Sequence, residues 1–306
     1  MRRIPALLAV AALVGACAME GTRESAGSDR SRNDALMADS EVKGLPEPVA
    51  PPLATSVGMR DILAMPHRSE ANRARDAHRH PQETLAFFDV QPQQTVIEIT
   101  PGGGGWYTEI LAPYLRSNGN LIAQVFDPSS SEKSRDYYKR TNGEYRAKLA
   151  ANPGLYDRVR VIEANVAAPV LGAPASVDRV LTFRNVHNWT AGGNDAAMFK
   201  AFFEVLKPHG VLGVVEHRAA PGTDPVVSAK SGYITESYVI KLATDAGFEL
   251  IDKSEINANP KDTRDHKNGV WTLPPGLRVP EGEDKAKYLT IGESDRMTLK
   301  FVKPAR

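Results

Sequence analysis

The chain has 306 residues, of which 42% are hydrophobic and 25% charged, enough apolar material for one packed body of ordinary size. Lys and Arg number 38 against 37 Asp and Glu, a balance of +1 that becomes −1 if Arg2 and Arg3 leave with a leader, and that argues against a phosphate-backbone binder. A single cysteine excludes a disulfide scaffold and a zinc site built from several thiolates, and no run of about 18 apolar residues offers an ordinary membrane span.

Met1 to Arg3 is basic, and Ile4 to Ala16 is uncharged and apolar, about as long as a signal-peptide core. The run closes on Val14-Gly15-Ala16-Cys17, which resembles the lipobox of bacterial lipoproteins. The resemblance implies a leader over residues 1–17, lipidation at Cys17, and export to the bacterial envelope with membrane contact through the lipid only. Ala18, where inner-membrane retention would favour Asp, implies the outer membrane. The plainer reading is an ordinary signal peptide with a cysteine near its cut site. Residues 18–56 are rich in Ser, Gly, Pro, Glu and Arg without apolar periodicity, the composition of a disordered tether.

Residues 57–306 have globular composition. A polar helix is expected over Arg68–His78 and a short one after Pro81, through Phe88. Strand-like runs follow at 95–99, 120–126, 158–163, 176–183, 211–216, 248–256 and 296–302, with helical spacing at 106–115, 195–206 and 234–246. Alternating strands and helices predict an α/β domain with a mostly parallel seven-stranded sheet and helices on both faces. The last two strands have no helical pattern between them, so an antiparallel edge is expected.

The first strand runs into Thr100-Pro-Gly-Gly-Gly-Gly105 and then a helix, a turn where glycine lets backbone approach a ligand. No Gly-Lys-Ser/Thr follows, which removes a P-loop, and the dinucleotide pattern of three glycines is not matched cleanly. The spacing Glu98, Thr100, Gly102, Gly104 resembles motif I of class I S-adenosylmethionine methyltransferases, with Thr100 in place of the usual first glycine. Ser176 to Trp189 is similar to their strand 4 motif, Leu206-Lys-Pro-His-Gly210 to the turn before their strand 5, and Ala246-Gly-Phe248 to their helix-to-strand 6 junction. Ala74 to Pro81, Gly105 to Glu109, Arg184 to Trp189 and Asp295 to Pro304 further resemble a family of exported predicted methyltransferases. A Rossmann-like fold and S-adenosyl-L-methionine as cofactor are what the resemblance implies; it carries over no substrate, and the expectation is an unknown small-molecule acceptor, with the charge balance arguing against a nucleic-acid partner.

Residue by residue, the resemblance puts Glu98 near the methionine end of the cofactor, with Thr100, Gly102, Gly103 and Gly104 giving it access to backbone; a helix cap is the alternative for Glu98. At the end of the second strand relatives carry an acid for the ribose hydroxyls. Val125 aligns there and Asp127 lies two residues on, so Asp127 serves if the strand continues or is a turn residue before Pro128. Asn165 stands where relatives place an Asp near the adenine, or is a turn asparagine. Asn185 and His187 follow the fourth strand on the acceptor side. There His187 is either the base for an acceptor that must lose a proton or a buried structural histidine. Arg75, Asp76, His80, Tyr107 and Trp189 are candidates to cover cofactor or substrate. Asp76 and His80 share a helical face but offer only two ligands, so no metal site is expected.

An exported chain lies apart from the cytoplasmic supply of S-adenosylmethionine. The alternative function is therefore an envelope-anchored binding protein on a methyltransferase scaffold. Asp127 and His187 separate the two: both pointing into a cleft beside Glu98 favours a catalytic site, and a plugged cleft favours the binding protein. The segment 254–292 either lids that cleft or covers the last strands.

Overall fold

The structure, a computed structural model, describes residues 57–305. The expected leader, Cys17 and the tether to residue 56 lie outside them. Four short helices open the body: α1 (Met59–Ala64), α2 (Glu70–Arg73), α3 (Asp76–Arg79) and α4 (Pro81–Phe87). There follow β1 (Thr95–Ile99), α5 (Thr108–Leu115), β2 (Asn120–Phe126), α6 (Arg135–Ala151), α7 (Pro153–Tyr156), β3 (Arg160–Ala164) and β4 (Val177–Phe183). The second half holds α8 (Val186–Gly192), α9 (Asp195–Val205), β5 (Leu206–His217), α10 (Pro225–Ala229), α11 (Glu236–Asp245), β6 (Glu249–Ser254), α12 (Lys285–Ile291) and β7 (Arg296–Val302). Among the described residues no helix is long and apolar enough to cross a membrane.

The seven strands form one sheet in the order β3-β2-β1-β4-β5-β7-β6. β1 to β5 pair in parallel, while β7 runs antiparallel to both β5 and β6. The reversed pairing expected at this edge is thus made by β7, one place in, with β6 outermost. Alternation along β1 assigns its side chains to two cores. Ile97 and Ile99 join Trp189, Phe199, Phe202 and Leu242 from α8, α9 and α11 on one face. Val96 joins Ile62, Leu85, Ile110 and Leu111 from α1, α4 and α5 on the other.

The polar helix expected over 68–78 is broken into α2 and α3. Arg68 is fully buried and holds Asp76, at the start of α3, through two bonds of 2.7 Å. The 17-residue α6 carries few apolar side chains and packs mainly through Tyr145, so its hydrophobic periodicity is faint.

Candidate functional site

β1 lies between β2 and β4, so the connections leaving its C-terminal end and that of β4 run to opposite sides and open a crevice there. A cleft of about 380 Å³ occupies that place. Its floor comes from the ends of β1 and β4, and one wall from Val270, Trp271 and the stretch Leu273 to Gly276, so the long segment before β7 does face the cleft.

At the β1 end the backbone is left-handed at Thr100 (φ 47°) and Gly102 (φ 70°). That conformation favours glycine; Thr100 adopts it held by its N–H to Gln124 O (2.8 Å) and its Oγ1 to Gln124 Oε1 (3.0 Å). Glu98 is buried on the cleft floor, accepting from Thr108 Oγ1 at 2.6 Å, and Thr108 also contacts Tyr145 OH at 3.1 Å. Burial pushes the Glu98 carboxyl up to about 7, against the opposing pull of the Thr108 hydrogen bond and Lys148. A Cβ added at Gly102 would meet nothing within 4 Å, so bare backbone borders open cleft. Gly102→Val should cost about 1–2 kcal/mol in strain, checked by urea denaturation.

At the β4–β5 end, Glu216 closes β5 with its carboxylate fully buried. Val186 N–H donates to Oε2 at 2.6 Å, and His217 N–H donates to Oε1 at 2.8 Å. His187 Nδ1 lies 3.0 Å from Oε1, within hydrogen-bond distance of the oxygen that also accepts from His217 N–H. A neutral imidazole that donates Nδ1–H to a carboxylate carries its lone pair on Nε2. His217 lies beside this pair, its Nδ1 2.5 Å from Ser294 Oγ. Burial, then the nearness of His187, Arg184, Arg296 and Arg79, holds the His217 imidazole well below its ordinary pKa.

A third group borders the cleft. Glu293 is buried and accepts from Arg75 Nε (2.7 Å), Arg79 Nε (3.0 Å) and Arg296 Nη1 (2.9 Å). Arg184, which follows β4 in a left-handed conformation (φ 64°), faces the cleft near them. Arg68 (5.2 Å) and Arg79 (4.7 Å) both lie over the Trp106 ring, and Tyr107 stacks on Phe183 at 3.5 Å. These contacts seat the N-terminal helices on the entrance to α5.

No family model and no curated protein matches the sequence. Solved structures do match. A SAM-dependent methyltransferase from Aquifex aeolicus aligns over 81% of this chain and 99% of its own, at 14% identity and TM-score 0.49. A chain of the complex containing the Haloferax volcanii Trm112 methyltransferase activator covers the same shares, at 14% identity and TM-score 0.50. The 4+2 cyclase SpnF aligns over 75% of this chain and 81% of its own, at 15% identity and TM-score 0.50. The shared architecture is the Rossmann-like methyltransferase fold.

Within this fold, Glu98, Thr100, Gly102, Tyr107, Asn185 and His187, all named from sequence, line one cleft. Asn185 spends its amide donors on Ile99 O (2.9 Å) and Thr182 Oγ1 (3.2 Å), which ties the ends of β1 and β4 together. Other expected residues stand outside the lining. Asp127 falls beyond the end of β2 and accepts from Ser129 N–H and Oγ, a turn closure. Asn165 accepts from Ala167 N–H in the turn after β3. Trp189 packs edge-on against Phe202 in the core, and a Cβ at Gly103 would strike Glu144. Gly104 is exposed with open space around it. Arg75 and Asp76 are committed to Glu293 and Arg68, and His80 is a left-handed residue between α3 and α4 rather than a helical partner of Asp76.

Sequence reasoning missed Glu216, His217, Arg184 and Glu293. An acid closing an otherwise apolar strand was the one available signal, and it pointed to Glu216 alone.

Proposed function

We propose that the protein is an S-adenosyl-L-methionine-dependent methyltransferase acting on a small-molecule acceptor that must lose a proton, with His187 as the base. The observation that carries this reading is the buried His187–Glu216 pair opening on the same cleft as Glu98 and Gly102. The residues present suit the cofactor. Bare backbone at Gly102 leaves room for close approach, and Glu98 offers a carboxylate to a cationic amino group. Bound there, S-adenosyl-L-methionine supplies a sulfonium-activated methyl group for in-line displacement.

The chain's own part is positioning and proton removal. Glu216 orients the imidazole and stabilises the cation that His187 becomes when Nε2 takes the acceptor's proton. Tyr107 and Phe183 form an aromatic surface along the cleft, and Trp271 approaches the His187 ring edge-on at 6.2 Å. We place the enzyme in the bacterial envelope as a lipoprotein, by the lipobox-like run ending at Cys17, alongside the exported methyltransferases it resembles.

The experiment is calorimetric titration of S-adenosylmethionine and S-adenosylhomocysteine into the full-length chain, followed by an acceptor screen. Micromolar binding is expected. His187→Ala should leave that binding intact and lower methyl transfer by roughly 10²–10⁴-fold, whereas an unchanged rate would remove His187 from the chemistry.

A second reading keeps the scaffold without methyl transfer. It is favoured by Asp127, whose carboxylate closes a turn on Ser129 instead of facing the cleft, and by the presence of a protein named as a cyclase among the structural neighbours. No cofactor binding by a cooperatively folded chain would decide for it.

A further inference from the structure

Around the acceptor end of the cleft, positive charge outweighs negative. Four guanidiniums, those of Arg75, Arg79, Arg184 and Arg296, share the field of a single carboxylate, Glu293. Glu293 is occupied by three of them, and among the described residues no acceptor bonds the Arg184 side chain. Arg79 is 1% exposed, yet its Nη1 and Nη2 have no hydrogen-bond partner, and neither has Arg296 Nε. Buried donors of this kind normally find acceptors, since each one left open costs free energy.

The same charges bear on the His187, Glu216 and His217 cluster, whose ligand atoms all lie within 4.8 Å of one another. Nδ1 of each histidine is already engaged, with Glu216 and Ser294 respectively. A divalent cation there would also sit in the field of the arginines, which adds to burial and to His187 in disfavouring a proton on His217. The electrostatics of this end of the cleft select an anion.

We propose that the acceptor carries a small oxyanion, a carboxylate or a phosphoryl group, and that Arg184 receives it, with Arg79 and Arg296 supplying the supporting positive field. This rests on the methyltransferase reading and names the substrate class for it. Arg184 is suited to the task because it faces the cleft from the end of β4, two residues before Val186, where α8 and the His187–Glu216 pair begin. Its planar fork matches either oxyanion through two parallel bonds. An anion held there lies on the side of the cleft that bears the base, so recognition would also aim the nucleophile.

The test titrates inorganic phosphate, acetate and, separately, S-adenosylhomocysteine into the full-length wild-type chain, Arg184→Gln and Arg184→Lys. Removing an unpartnered cation from a crowded cationic site leaves the fold intact, which a thermal melt of each variant checks. Phosphate or acetate is expected to bind wild type at about millimolar strength, beyond any effect of chloride at equal ionic strength. Arg184→Gln should weaken that binding by roughly tenfold or more, Arg184→Lys by less, and S-adenosylhomocysteine should bind all three alike. If neither anion binds wild type while S-adenosylhomocysteine does, the acceptor assignment is overturned and the methyltransferase reading survives. If S-adenosylhomocysteine binding falls with Arg184→Gln, and phosphate competes with it, the arginine serves the cofactor's own carboxylate, and the inference is equally overturned. Anion binding without S-adenosylhomocysteine binding would keep the anion site and remove methyl transfer.

Discussion

Glu293→Gln is expected to destabilise the protein by about 4 kcal/mol at pH 7, because it leaves several buried guanidiniums without their shared counter-charge. Glu293 is the carboxylate on which Arg75, Arg79 and Arg296 converge, at 2.7, 3.0 and 2.9 Å. Burial alone would raise its pKa, but Arg79, Arg296, Arg75 and Arg184 more than reverse that and hold it far below the ordinary carboxylate value. The sign of the pH dependence follows. A depressed pKa adds stability that is complete above the ordinary value near 4.5 and fades as pH falls toward the folded value. The gap between wild type and Glu293→Gln should therefore narrow in acid. Urea denaturation at pH 7 and again near pH 3 reads both effects. A difference at pH 7 below about 0.5 kcal/mol would mean that water or a bound anion already compensates the arginines.

Glu98→Gln should act in the opposite direction on stability while damaging the site. The Glu98 carboxyl is buried, and burial pushes it up to about 7, offset in part by the bond from Thr108 and by Lys148. With the folded pKa above the unfolded one, the unfolded chain gives up its proton first as pH rises. Stability is then undiminished below about 4.5 and declines as pH climbs through 7. By pH 8 the full penalty, about 3 kcal/mol, is in place. Glutamine cannot ionise, so the variant should be more stable than wild type at pH 8 by up to that amount and nearly equal to it near pH 4.5. On the proposed function its affinity for S-adenosylhomocysteine should drop by roughly tenfold or more, the loss expected if Glu98 partners the ligand's amino group. Wild-type binding near pH 7 should also release a proton, measurable by calorimetry in buffers of different ionisation heat. A stabilised variant that binds S-adenosylhomocysteine as well as wild type would leave Glu98 a structural residue only. The two substitutions together would display a site that holds one carboxylate against its preference and leaves several cations short of partners, as expected where function and stability compete.

Much of the frame was legible before the structure. The bounds of β1, β2 and β7 coincide with the apolar runs read from sequence, and α9 and α11 fall within a residue or two of their periodic stretches. Helix α6 was not, because a helix that buries little beyond Tyr145 carries scant apolar periodicity. Asp127 marks a subtler limit. Two steps along a strand return to the same face, but the strand ends at Phe126, and Asp127 bonds Ser129 in a turn. Asp76 and His80 fail as a helical pair for a related reason, since the chain leaves the helix at His80 with φ 41°.

By itself the sequence determined what is encoded locally: the alternation of strands and helices, the glycine turn after β1, and the run from Arg184 to Trp189 that places His187 at the end of β4. Strand periodicity, left-handed glycine turns and helix starts are properties of a few adjacent residues, so they survive being read in one dimension. Only the tertiary structure decided the pairings that give the site its character. Glu216 meets His187 across 29 residues, and Glu293 meets Arg75 across 218. No short-range pattern records such meetings, because they arise when the sheet brings the ends of β4, β5 and β7 to one crevice, and burial there sets which charges are answered and which are left waiting.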